Sequence, residues 1–163
     1  MNKGIAITGM GIISAIGNDV AENFHALTTG RPGITHTDNI DTVHKTAIKF
    51  GEIKKSNAQL VSELGLPHDN NFSRTALLGL WAAKQAVADA GIADINSYRT
   101  GLVNSTSVGG MDTTEQHYYQ YFEDPETVKY IAAHDGGDVS QKIADELGLQ
   151  GFVTTISTAC SSA

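Results

Sequence analysis

Short apolar, β-branched runs alternate along this chain with longer stretches whose apolar residues recur at helical spacing. The opening run, KGIAITG at 3–9, is continuously apolar, which predicts a strand covered on both faces, and the glycine-rich GMGIISAIGN follows it. NDVAENFHALTTG reads as a helix capped by Asn18 or Asp19 and stopped by Gly30, with Val20, Phe24 and Leu27 at helical spacing. RPG then turns the chain. Residues from Ile34 to Lys55 are mixed in character, with a short strand expected around Thr46 to Phe50, and Asn57 to Leu64 forms a short helix closed by Gly65. Ser73 caps the strongest helix, in which Leu77, Leu80, Trp81, Lys84, Val87 and Ala88 gather most apolar mass on one stripe before Gly91 ends it.

The second half repeats the alternation. TGLVNSTSVGG is a strand leading to a glycine pair, and DTTEQHYYQYFED is helix-like. Asp138 or Ser140 caps a further helix with Val139, Ile143 and Leu147 on one face and Gly148 at its end. GFVTTIST is the last strand and runs into ACSSA. Such alternation predicts an α/β fold with a mixed, mainly parallel sheet covered by helices, in one domain over 1–163 without repeats or low-complexity tracts.

Composition narrows the classes. The 163 residues, 40% of them apolar, suffice for one domain with a real core and exclude collagen, coiled coil and disorder. Eleven Lys and Arg against 18 Asp and Glu leave a net charge of −7, and the basic residues are scattered, which argues against a nucleic-acid partner. One cysteine permits neither an intramolecular disulfide nor a cysteine-based zinc site. With no targeting segment and no long apolar run, the expectation is a cytoplasmic protein that is neither exported nor membrane-spanning.

That single cysteine, Cys160, follows a β-branched strand and precedes small residues, so it falls in the turn between a strand and a following helix. A thiol at a helix N-terminus meets unpaired backbone N–H groups and the positive end of the helix dipole, which favour the thiolate and can stabilise an oxyanion. Ala159, Ser161, Ser162 and Ala163 would leave room for a substrate carbonyl. The competing reading is a buried small hydrophobe, since free cysteine is among the most buried residue types.

STACSSA at Ser157 to Ala163, AITGMGIISAIGN at Ala6 to Asn18 and SVGG at Ser107 to Gly110 occur in order and together resemble the N-terminal half of a β-ketoacyl-[acyl-carrier-protein] synthase of the elongating type, in the thiolase-like superfamily. The resemblance runs in register over nearly the whole chain. It implies the N-terminal half of a thiolase-like fold, whose C-terminal half is absent from this chain, and an acyltransferase of fatty acid biosynthesis with no cofactor. Cys160 would accept an acyl group from acyl carrier protein, and malonyl-carrier would then lose carbon dioxide and condense with it. It further implies that Val108 gates the acyl pocket, with Gly109 and Gly110 fitting the tight backbone beside it; the other reading of Val108 is strand-end core. The family's enolate-stabilising histidines and supporting lysine belong to the C-terminal half, so the 163 residues alone are expected to be inactive. His25, His36, His44, His68, His117 and His134 are read as surface or packing residues.

A homodimer is implied as well, with FVTTIS at its two-fold and Met111 to His134 reaching toward the partner. Tyr118, Tyr119, Tyr121 and Tyr130 suit such a surface and equally suit internal packing. Two departures stand out. Only Arg74 is basic in VSELGLPHDNNFSRTA, where the family carries several carrier-docking cations, and AAHDGGDVSQKIADELG is more polar than usual. The alternatives are a polyketide or specialised-lipid ketosynthase, or a non-catalytic partner or dimerisation subunit; Cys160 argues against the last.

Overall fold

The structure, a computed structural model, describes residues 4–162. Helix ends follow the capping chemistry. Asp19 accepts the N–H of Glu22 to start α1 (Val20–Thr29), and Gly30 closes it at φ 68°. Ser56 and Gln59 form a reciprocal capping box on α2 (Asn57–Leu64), which Gly65 closes at φ 73°. The Ser73 hydroxyl accepts the N–H of Ala76 at the head of α3 (Arg74–Asp89).

Two parallel strands, β1 (Leu102–Ser105) and β2 (Val153–Ile156), pair in register from Leu102 opposite Val153 to Ser105 opposite Ile156. Between them run α4 (Met111–His117), two 3₁₀ turns, α5 (Val128–Ala132) and α6 (Gly136–Glu146). The parallel pair joined by helices agrees with the α/β expectation. The core lies where α2, α3 and α6 meet, with Leu60, Leu77, Leu80, Val139 and Ile143 almost wholly buried. A Cβ on Gly79 would lie 2.7 Å from the Ile143 Cδ1, so the absence of a side chain lets α6 press against α3. The buried Ser140 ties α6 to both strands, through the Asn104 amide at 3.0 Å and the Thr155 hydroxyl.

Several expectations need correction. Of KGIAITG, Lys3 lies outside the described residues and 4–9 form no strand; Ile5 and Ile7 are fully and 83% exposed. A strand requires a ladder partner, and among the described residues none pairs with this segment. Its continuation rides along α3 instead, with the Met10 N–H on Asp89 and the Ile12 N–H on Gln85, and a Cβ on Gly9 or Gly11 would strike the α3 backbone. Phe24 and Leu27 also point to solvent, because α1 buries its Asn23 and Ala26 side. The strand expected at 46–50 reduces to one bridge between Thr35 and Phe50. Neither Asp138 nor Ser140 caps α6: Asp135 does so by accepting the N–H of Gly137, and Asp138 is drawn into an ion pair with Lys142 at 2.7 Å. The sheet is covered by α6 on one face, and Val103 on the other is 63% exposed.

Candidate active site

Both strands deliver their carboxyl ends to one place, the position at which open α/β sheets bind ligands. The Thr106 N–H donates to the Ile156 carbonyl and extends the ladder one step beyond Ser105. The chain then turns sharply. The Thr106 hydroxyl accepts from the N–H groups of Val108 and Gly109, and Gly109 takes φ 52°. A Cβ on Gly109 would lie 2.3 Å from the His134 carbonyl oxygen, and one on Gly110 would lie 1.9 Å from that of Ala133. The glycine pair is therefore required by the 133–136 backbone crossing over it, where the Gly110 N–H donates to the His134 carbonyl at 3.1 Å.

Beyond β2 the chain enters a 3₁₀ turn, Ala159–Ser161, with Ala159 at φ 52°. Ala159 is the one non-glycine residue among those described with a positive φ, a conformation that costs an L-residue about 1–2 kcal/mol. Its carbonyl is held from two sides. The Ser107 hydroxyl donates to it at 2.7 Å, and so does the Ser162 hydroxyl, which also accepts the Thr158 N–H at 2.9 Å. The Ser107 contact brings the glycine-pair turn against the cysteine turn.

Cys160 is exposed among the described residues. Among the described residues it stands in the 3₁₀ turn Ala159–Ser161. Val108, just beyond β1, is 51% exposed. Ser161 is exposed and leaves space; Ser162 is buried and closes the turn; Ala163 lies outside the described residues. The hydroxyl contacts of Ser107 and Ser162 on the Ala159 carbonyl are what the sequence alone does not disclose. A hydroxyl just ahead of VGG is a visible signal, but its partner is set by the pairing of two distant strands.

The histidines stay apart from this site, except that the His134 carbonyl caps the glycine pair. The His134 ring meets the Thr114 hydroxyl at 3.0 Å, and the His117 ring stacks on Tyr130 at 4.1 Å. Among the described residues no group of three His, Cys, Asp or Glu is placed to hold a metal ion, and no helix is long and apolar enough to cross a membrane. Tyr118, Tyr119 and Tyr121 are exposed and meet each other or Phe122 edge to face. The Arg74 guanidinium is committed internally, to the Asn57 side chain and to the carbonyls of Ile53 and Lys55.

A wider cavity of about 830 Å³ lies between the 39–57 loop and α4, with Glu52 and Arg74 in its wall. Burial pushes the Glu52 carboxyl up, but hydrogen bonds from the Asp38 N–H, the Thr37 hydroxyl, the Asn39 N–H and the Lys54 ammonium outweigh it and leave the pKa lowered to about 2. Glu52 thereby gathers the 37–40 loop around one charge.

Residues 2–163 match the family described as beta-ketoacyl synthase, N-terminal domain. Over 125 aligned positions, 75% of this chain, the sequence is 33% identical to 3-oxoacyl-[acyl-carrier-protein] synthase 2 of Staphylococcus aureus (strain COL), and over an alignment of 164 positions, gaps included, that takes in 97% of this chain, it is 26% identical to the protein of that name from Vibrio cholerae. The matches span 30% and 39% of those proteins, so this chain covers well under half the length of its curated relatives. Among solved structures, the ishigamide ketosynthase/chain length factor superposes with a TM-score of 0.75 at 26% identity, over 93% of this chain and 39% of that one. A beta-ketoacyl synthase from Burkholderia phymatum STM815 gives 0.66 at 21% identity, over 96% of this chain and 40% of that one, a likeness of fold.

Proposed function

Because the chain belongs to the β-ketoacyl synthase family, whose N-terminal domain it matches over residues 2–163, we propose that the whole protein is a 3-oxoacyl-[acyl-carrier-protein] synthase of fatty acid biosynthesis with Cys160 as its acyl acceptor. The observation that carries this reading is the exposed Cys160 on a strained turn at the carboxyl ends of the two parallel strands, joined to the Val108–Gly110 turn through Ser107.

In the proposed reaction the Cys160 thiolate attacks the carbonyl of an acyl-carrier thioester. The carrier leaves as its thiol and the acyl group stays on sulfur. Malonyl-carrier then loses carbon dioxide, and the resulting carbanion attacks the Cys160 thioester, expelling the thiolate and giving a β-ketoacyl-carrier. Backbone N–H groups at the turn would stabilise the oxyanion formed in both attacks. Val108, Gly109 and Gly110 would form the wall along which the acyl group enters. None of the six histidines stands ready to stabilise the enolate, so those groups are assigned to protein outside these 163 residues, which would not condense substrates alone. A cytoplasmic homodimer, contacting through the β2 edge and the aromatic stretch 111–134, completes the proposal. Since Arg74 is held internally, docking of the acidic carrier would rest on other cations.

A second reading, a polyketide or specialised-lipid ketosynthase with the same mechanism, draws support from the likeness to the ishigamide ketosynthase/chain length factor. Incubation of the full-length protein with labelled acyl-carrier, or with a cerulenin-like electrophile, followed by peptide mass spectrometry tests both. The adduct is expected on Cys160 and absent from Cys160→Ala. Label elsewhere, with Cys160 untouched, would overturn the assignment, and comparison of acyl donors separates the two readings.

A further inference from the structure

We propose that Ser107 is a positioning residue for the Cys160 site, acting through the Ala159 carbonyl; the inference rests on the acyl-acceptor reading of Cys160. Ala159 O and Cys160 N belong to one peptide unit. In a planar trans peptide the carbonyl and the N–H point in opposite directions, so whatever fixes the one aims the other. Two hydroxyls grip that carbonyl at 2.7 Å each, and the Ser162 N–H reaches it at 3.2 Å.

The grips are not equivalent. Ser162 belongs to the turn itself and travels with it. Ser107 comes from the other strand end, fifty-two positions away in sequence, and ties the peptide to the frame that carries Val108–Gly110. Among the described residues no acceptor meets the Cys160 N–H, which leaves it directed away from the hydroxyl clamp and free to serve as a donor. The clamp matters because Ala159 is held at φ 52°, where an alanine relaxes toward other backbone conformations if nothing restrains it. Release of the Ser107 contact would let the peptide plane rotate and carry the N–H off its line, while leaving the sulfur on an exposed turn.

This separates two reactions of the same thiol. Acyl transfer from a thioester builds an oxyanion and needs the aimed N–H. Alkylation by iodoacetamide forms a sulfur–carbon bond, expels iodide and builds no oxyanion. The test uses full-length protein, with the acetyl thioester of N-acetylcysteamine and iodoacetamide as probes and Cys160 modification followed by mass spectrometry. Ser107→Ala is expected to slow acetylation by about two- to ten-fold, the equivalent of one neutral hydrogen bond, with the alkylation rate and its pH profile unchanged. Ser107→Thr, which keeps a hydroxyl, should restore acetylation. Equal acetylation in wild type and Ser107→Ala overturns the inference. So does a parallel fall in both reactions, which would place the effect on the sulfur. A wild-type Cys160 that alkylates but never acetylates would overturn the acyl-acceptor reading itself.

Discussion

Gly110→Ala probes the crossing of the two turns most directly. Gly110 has φ −102°, outside the left-handed region that favours glycine, so the effect of an added Cβ is chiefly steric. The added Cβ would stand 1.9 Å from the Ala133 carbonyl oxygen and 2.6 Å from its carbon, whereas real Cβ atoms do not approach closer than 3.0 Å. The turns must therefore part by about 1 Å, which breaks the 3.1 Å bond from the Gly110 N–H to the His134 carbonyl. A lost buried hydrogen bond costs about 1 kcal/mol, and forced repacking costs about 1–3 more, for a destabilisation of about 2–4 kcal/mol. The same shift moves Val108 relative to Cys160, and misplacement on this scale lowers a positioned reaction by about tenfold or more. Urea denaturation of the full-length protein measures the first effect and the acetylation rate of Cys160 the second. Gly148→Ala is the control: its φ of 66° strains an alanine, but nothing lies within 4 Å of the new Cβ, so it should cost only about 1–2 kcal/mol and leave the site alone. If Gly110→Ala is no more destabilising than Gly148→Ala and acylates normally, the two turns do not cross as described.

Other consequences are open to the same kind of measurement. Glu52 has its carboxyl lowered from 4.5 to about 2, so its stabilising contribution is complete above pH 4.5 and is lost as pH falls toward 2. The shift corresponds to an upper limit of about 3 kcal/mol, which solvent screening of the partly exposed loop lowers. Glu52→Gln should therefore flatten the stability profile between pH 2 and 4.5, and a profile parallel to wild type would refute that role. Leu80→Ala empties a fully buried position between α2 and α6 and should cost about 2–5 kcal/mol, read by urea titration of the neighbouring Trp81 fluorescence. A cost below about 1 kcal/mol would mean that the helix core is not packed as described.

How much was legible in the sequence depended on the range of the interaction. The starts of α1 and α3 were readable because a cap is a contact within a few residues, Asp19 with Glu22 and Ser73 with Ala76, and the end of α2 was readable from Gly65. The start of α6 was missed because Asp135, Asp138 and Ser140 are all competent caps, and two glycines disguise the first turn. Apolar spacing on α1 correctly marked Phe24 and Leu27 as one face. Spacing cannot say what a face meets, and here they meet solvent. The opening β-branched run shows the same limit, since propensity supplies no ladder partner. At the site, Cys160 and the glycine pair were visible as motifs. The Ser107 contact was not, because it exists only once β1 and β2 lie side by side.

That pairing has a kinetic side. Leu102 and Val153 are joined across about fifty residues of intervening chain, so the β1–β2 register forms only after a long loop closes, whereas the capped helices can form from local contacts. Every contact that shapes the cysteine turn from outside it waits on that late event. A nascent or partly folded chain therefore carries Cys160 as an ordinary flexible thiol, and its distinctive geometry arrives together with the completed fold. Reactivity at this cysteine is a reporter of folding as much as of chemistry: a pulse of electrophile during refolding would date the moment at which the two strand ends meet.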